Sequence, residues 1–309
     1  MFIASLPPVH QHDLLRRMIE HPCVDAVRYN TGMSSAYSPL ETIERIQALA
    51  RPLKKPVYID LKGKQLRVIE WANLPEGPIV LNHPVRVSLP AKVYFRGDDC
   101  CALREVVDGT NIYVDPLPKA PVGRGQAANI VGKNVLVSGG LLPLDHEYIK
   151  AGVACGISRF MLSFVEHGDD VEELQDAILK HNHNSKPISD YELVLKIESR
   201  LGVSFVRKNR PNTWHENGLR LMAARDDLMI QIGINKMPHA LQTIAAADEH
   251  AICASRLFLG LEQGAVSMAD LSDFKYMQQL GYQHFMLSDG VSRNHFNAAL
   301  SFWKSLKKS

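Results

Sequence analysis

No apolar run in this 309-residue sequence approaches the roughly 20 residues that a membrane span requires. The first ten residues carry no basic stretch followed by an apolar one, so no secretory leader is expected. Cysteine is scarce. Cys23, Cys100, Cys101, Cys155 and Cys253 form no Cys-x-x-Cys pair and no even framework, which fits reduced thiols in a cytoplasmic protein. Charge of one sign is also missing, because 35 Lys and Arg against 33 Asp and Glu leave a net +2. The one dense basic cluster, Arg207-Lys208-Asn209-Arg210, is too short for a nucleic-acid surface. Gly123-Arg124-Gly125 lacks the Lys-Ser/Thr of a phosphate loop. What remains is an ordinary soluble composition, 46% hydrophobic and 22% charged, with length for one barrel core or two smaller domains.

The first third alternates strand and helix signals. Phe2 to Ala4, Val24 to Val27 and Pro56 to Asp60 read as strands. Between the last two, Ser38-Pro39-Leu40-Glu41 is a helix start with a Ser cap, Pro at the first position and Glu three residues on. From Leu66 to Val137 the helical period disappears, and short β-like runs are broken by Pro, Gly and Asp. Alternation then returns, with strands expected at Arg159–Phe164, Glu192–Ile197, Asp227–Ile232, Ala251–Ala254 and His284–Leu287. Three strands before the insert and five after it make eight, the count of a (β/α)8 barrel. The expected architecture is therefore a barrel over 1–63 and 141–309, with a small all-β domain over 64–140 inserted after the third strand.

Barrel chemistry sits at the C-terminal ends of the strands. The polar residues there are Arg28, Asn30, Asp60, Lys62, Lys196, Glu198, Gly233, Asn235 and Ser255. Strand alternation sends Lys196 and Glu198 to one side and Ile197 to the other. An ammonium beside a carboxylate suits a divalent metal and a phosphate or enolate oxygen, or else a structural ion pair. The segment Val206–Asn217 is long for a strand-to-helix loop and is a candidate specificity loop over the barrel mouth.

Several segments, taken in order, resemble pyruvate kinases. They are Ala26-Val27-Arg28-Tyr29-Asn30, Asp60-Leu61-Lys62-Gly63 through Arg67, Asn111 to Asp115, Asn129-Ile130-x-Gly132, Ser163-Phe164-Val165, Lys196-Ile197-Glu198, Ile252-Cys253-Ala254-Ser255 and Met286-Leu287-Ser288. The resemblance implies a cytoplasmic transferase acting on phosphoenolpyruvate or pyruvate, with Mg2+ or Mn2+ as cofactor and K+ beside it. It implies Arg28 on a phosphoryl group, Lys196 on the phosphoryl or enolate oxygen, and Ser255 as a proton-relay hydroxyl. Gly233, Arg67 and Lys62 would contact substrate. Glu198 and Asn235 would hold the divalent ion, and Asn30 and Asp60 the monovalent one. A nucleotide as second substrate and self-association into a homo-oligomer follow from the same resemblance; nucleic acid and membrane partners do not.

Departures from the pattern are specific. The family's second metal carboxylate follows an Arg-Gly and is expected at Ile234, leaving Asn235 to substitute after a one-residue shift. Leu61 replaces a Thr, Gly32 stands where a Ser would help hold the monovalent ion, Glu166 replaces an Arg, and Gly290 replaces a Glu. The sequence ends at Ser309, where a further C-terminal domain would follow in the family. These differences open two alternatives: a 2-oxo acid lyase or aldolase on the same barrel, and a degenerate barrel that binds without turnover.

Overall fold

Short runs buried on both faces are the signature of parallel strands covered by helices, and the eight such runs close on one another. The computed structural model describes residues 1–95, 99–182, 186–209 and 214–306. In chain order the elements are β1 (Phe2–Ser5), α1 (His12–Glu20), β2 (Ala26–Asn30), α2 (Pro39–Ala50), β3 (Val57–Leu61), β4 (Ile79–Val80), β5 (Val85–Phe95) and β6 (Asp99–Val107). Next come β7 (Asn111–Asp115), β8 (Ala128–Val137), α3 (Pro143–Ala154), β9 (Arg159–Leu162), α4 (Gly168–His181), β10 (Glu192–Ile197), α5 (Arg200–Lys208) and β11 (Leu219–Ala224). The chain finishes with α6 (Arg225–Ile232), α7 (Met237–Ala245), β12 (Ile252–Ala254), α8 (Met268–Gln279), β13 (His284–Met286), α9 (Asp289–Asn294) and α10 (Phe296–Leu306).

The barrel order is β1-β13-β12-β11-β10-β9-β3-β2, parallel throughout and closed. The remaining strands form a separate antiparallel sheet, β4-β7-β6-β5-β8, reached after the third barrel strand. It has its own apolar core around Val68, Val93, Phe95, Ile112 and Ile130. In the barrel, one apolar layer fills the space between strands and helices, with Phe2, Tyr29, Phe160 and Leu195 among its members. A second cluster, including Ile3, Tyr58, Met161, Val194, Met222 and Met286, plugs the barrel interior.

Local signals are met where they were strong. Ser38 Oγ accepts from the Glu41 N–H at 3.3 Å, and Glu41 returns a bond to the Ser38 N–H at 2.9 Å. Such a cap contributes about 1 kcal/mol. Among the described residues no helix is long and apolar enough to cross a membrane.

The sixth barrel strand is a correction. Asp227–Ile232 is not a strand; it belongs to α6, and the strand is β11 at Leu219–Ala224. Asp226 and Asp227 favour a helix N-terminus, and Gly233, at φ 81°, ends the helix in a conformation that suits glycine. The true strand, Leu-Arg-Leu-Met-Ala-Ala, is written in helix-forming residues and is strand only because both its faces are buried. The error also misplaced the Val206–Asn217 segment. Its described residues, 206–209 at the end of α5 and 214–217 before β11, lie at the strand-start face, opposite the mouth; 210–213 lie outside the described residues. Residues 183–185, after α4, lie outside them as well.

Candidate functional site at the barrel mouth

Alternation along each strand sets which side chains share the barrel interior. Tyr58, Val194, Ala26 and Met161 plug the lower interior. Two residues on, the same faces carry Asp60, Lys196, Arg28 and Ser163. Two further on, they carry Lys62, Glu198 and Asn30. The apolar plug therefore gives way to a charged layer at the strand ends, with the backbones of β2, β3, β9 and β10 fixing each position.

Asp60 is the hub of that layer and has no solvent exposure. Its Oδ2 accepts from Arg28 Nε at 2.9 Å and also from Arg28 Nη2. Lys196 Nζ donates to its Oδ1 at 3.2 Å, and the Lys62 ammonium stands 3.6 Å from Oδ2. Lys196 also donates to Ser163 Oγ at 2.7 Å and lies 3.3 Å from Glu198 Oε1. Arg28 Nη1 reaches Asp289 at 2.6 Å, and Asn30 donates to the same carboxylate at 2.8 Å. Glu198, 1% exposed, accepts the Phe164 N–H at 2.7 Å; Phe164 adopts a left-handed φ of 54° there.

Burial and crowding shift these groups. Burial alone would raise the Asp60 carboxyl, but Lys196, Lys62 and Arg28 hold it well below the usual range. Burial works against the charge on Lys196, yet Asp60 and Glu198 raise it overall, so it stays an ammonium. Lys62 is pushed down to about 7, by burial first and then by the cations Arg67, Lys196 and Arg28, against the pull of Asp60. Glu198 rises to about 7 through burial and the charge of Asp227, with Lys196 opposing.

The mouth encloses a cavity of about 550 Å³. Arg28, Asn30, Lys62, Arg67, Lys196, Glu198 and Ser255 all line it. Gly233 and Asn235 do not. With 227–232 folded as α6, both fall beyond that helix and are exposed, Asn235 in the 3-10 turn Ile234–Lys236. Gly233 N–H is spent on the Met229 carbonyl rather than offered to a substrate.

The carboxylate missing from the sequence reading is Asp227. It lines the cavity and accepts from Asn129 at 2.8 Å and from Gln65 at 3.4 Å. Its signal was present: Arg225-Asp226-Asp227 places an acid one residue after an Arg-x pair, with Asp226 where the family pattern has glycine. Reading Asp227–Ile232 as a strand hides it. Asp289 and Glu262, which no local sequence pattern marks, also line the cavity. A Cβ on Gly290 would sit 3.0 Å from Glu262 Oε1, so a carboxylate occupies the space that Gly290 leaves. Glu166, by contrast, faces a different cleft of about 500 Å³ between β8 and the exits of β9 and β10, where it accepts from Ser199 Oγ.

Among the described residues no cluster of three or more His, Cys, Asp or Glu forms a ready-made metal cage. Glu198 and Asp227 nevertheless fit a hard divalent cation, since magnesium is held by one or two carboxylates with substrate and water completing the shell. Burial first, and the Asp227 charge after it, raise the Glu198 carboxyl, and a cation there would offset both. The monovalent pair does not fit. Asn30 Oδ1 is taken by the Gly32 N–H at 3.0 Å, and both Asp60 oxygens are engaged by protein cations. Gly32 leaves room for the Arg67 guanidinium instead, because a Cβ there would lie 2.9 Å from it.

No protein-family model matches the chain. Curated relatives are pyruvate kinases. The protein of Thermoplasma acidophilum is 23% identical over 295 residues, covering 88% of this chain and 50% of that one. That of Thermotoga maritima is 28% identical over 256 residues, 75% of this chain and 52% of that one. That of Agaricus bisporus is 24% identical over 181 residues, 57% and 29% respectively. The chain spans about half the length of the first two relatives. With the closed eight-stranded barrel, these matches support a pyruvate kinase-like fold. The pyruvate kinase-like fold places the charged layer at its C-terminal mouth, where barrel chemistry is found.

Proposed function

We propose that the chain is a metal-dependent enzyme that acts on a pyruvate- or phosphoenolpyruvate-like carboxylate through an enolate. The domain assignment that accompanies it is a barrel over 1–63 and 141–309 and an inserted β domain over 64–140. The observation that carries the reading is the buried Arg28–Asp60–Lys196 network beside the Glu198 and Asp227 carboxylates. Fixed cations stand beside a carboxylate pair that would hold a hard cation, with the Lys196 ammonium 3.3 Å from Glu198. That is preorganised stabilisation of an oxyanion, where positions fixed before reaction avoid reorganisation during it.

Lys196, kept charged by Asp60 and Glu198, donates toward the oxygen that gains charge as the enolate forms. Arg28 and Lys62 face the phosphoryl or carboxylate end. The Ser255 hydroxyl carries the proton to or from carbon 3. Glu198 and Asp227 would hold a divalent ion, which when bound supplies Lewis-acid polarisation of the 2-oxo group. In phosphotransfer the phosphoryl group leaves phosphoenolpyruvate for an acceptor oxygen, and the enolate left behind takes up a proton at carbon 3.

One observation favours lyase or aldolase chemistry on a 2-oxo acid over phosphotransfer to a nucleotide. No aromatic side chain is among the described residues lining the mouth cavity, so a nucleobase has no ring to stack on there. Calorimetric titration with Mn2+, then oxalate, then ADP, tests both. Metal-dependent oxalate binding that Glu198→Gln abolishes is expected. Oxalate binding that ignores metal and Glu198→Gln alike would sink the enolate reading, whereas tight ADP binding would restore the kinase one.

A further inference from the structure

Ala224 and Ala254 are the last register partners of β11 and β12. Beyond them the ladder is continued by a side chain. Arg225, 3% exposed, donates from Nε at 3.1 Å and from Nη2 at 2.8 Å to the carbonyl of Ser255. Its Nη1 is anchored on Asp273 of α8 at 2.7 Å. A guanidinium thus takes the place of the next backbone rung and fixes where β12 stops.

The loop it holds is strained. Ser255, Arg256 and Phe258 all adopt left-handed φ angles, of 63°, 53° and 59°. Side chains other than glycine rarely enter that region, and they persist there only when their surroundings enforce it. The far end is enforced by packing, since the Phe258 ring lies 4.9 Å from that of Phe302 and 6.2 Å from that of Phe274. The near end is enforced by Arg225 on the Ser255 carbonyl and by Asp226, which accepts from Arg256 Nη1 at 3.1 Å. Ser255 lines the mouth cavity, and Arg225 lies behind it, buried and outside the lining.

We propose that Arg225 is a positioning residue for the Ser255 hydroxyl. It holds Ser255 in a backbone conformation that the residue would otherwise leave, and so aims its side chain at carbon 3 of the substrate. The inference rests on the enolate reading above, in which that hydroxyl moves the proton. Arg225 lies outside the cavity lining, so its removal would reach the reaction through the Ser255 loop.

The test is exchange of pyruvate carbon-3 protons with deuterated solvent, followed by NMR with Mg2+ present, alongside Mn2+-dependent oxalate binding. Ser255→Ala is expected to lower exchange by about 100-fold, the lower end of a general acid–base contribution. Arg225→Met should fall comparably, and the double variant should lose no more than the worse single one, because residues acting as one unit are non-additive. Oxalate binding should stay within about threefold in all three. Should Arg225→Met fail to fold, Asp273→Asn loosens the same anchor. Its loss of exchange should vanish in the Ser255→Ala background. Multiplicative losses, or a parallel loss of oxalate binding, overturn the positioning role and leave the enolate reading intact. A wild-type protein that binds oxalate yet exchanges no protons overturns both.

Discussion

Asn129, on the last strand of the inserted sheet, donates its amide to Asp227 Oδ1 at the barrel mouth over 2.8 Å. Gln65, on the segment leaving the barrel, reaches the other oxygen at 3.4 Å. The antiparallel sheet therefore orients a carboxylate that faces Glu198 in the barrel. Partners that orient a ligand typically matter by tenfold or more when removed. Asn129→Ala is expected to weaken Mn2+ binding by about tenfold, read by calorimetry. Unfolding midpoints in urea should move little, since the bond is partly exposed. Unchanged Mn2+ affinity would show that Asp227 is not a ligand.

Potassium should be dispensable. Asp60 already has Arg28, Lys196 and Lys62 around it, and Arg67 fills the space beside Gly32. Oxalate affinity and pyruvate proton exchange are expected to agree within about twofold in potassium and in tetramethylammonium buffers. A rise of tenfold or more on adding potassium would show that an ion enters despite the occupied donors.

The pH dependence has two limbs of opposite sign. Glu198, raised to about 7, holds a proton in the folded protein between its ordinary value of 4.5 and 7, where the unfolded chain does not. Its contribution to stability is full below 4.5 and is lost as pH rises through 7. Lys62, lowered to about 7 from 10.5, is the reverse: from 7 to 10.5 the unfolded chain holds the extra proton, so stability rises with pH. Metal-free protein should therefore be least stable near neutrality in urea titrations across pH 5 to 9. Glu198→Gln should flatten the acidic limb and leave the alkaline one. Mn2+ affinity should fall by up to about tenfold per unit below pH 7, since the ligand must first lose its proton.

How much of this could be read in the sequence depended on local chemistry. The α2 start was legible because Ser38, Pro39 and Glu41 act within one turn. Lys196 and Glu198 were legible because strand alternation alone puts them on one face. The strand β11 was not, because Leu, Met and Ala carry no strand preference and burial from neighbouring helices decides the matter. Asp227 was lost with it, and Asn235 was proposed in its place. Asp289 and Glu262 were hidden for another reason: they come to Arg28 and Gly290 across 261 and 28 residues of chain, by barrel closure. No local pattern reports that.

Asp60 is the residue on which the mouth should be most sensitive. Its carboxylate lies at the centre of three buried cations, two of them within hydrogen-bond reach. Asp60→Asn keeps the volume and removes the charge, leaving the buried Arg28, Lys62 and Lys196 to repel one another with little solvent exposure to screen them. Breaking a buried pair from one side typically costs about 3–5 kcal/mol. A loss of that size is expected in urea unfolding at pH 7. It should shrink as pH rises, because Lys62, already lowered, then gives up its proton more readily. A second change, Lys62→Met in the Asp60→Asn background, removes one stranded cation and should recover part of the loss. If Asp60→Asn were instead neutral in stability while Mn2+ and oxalate binding survived, the network would not be the electrostatic hub that its geometry indicates.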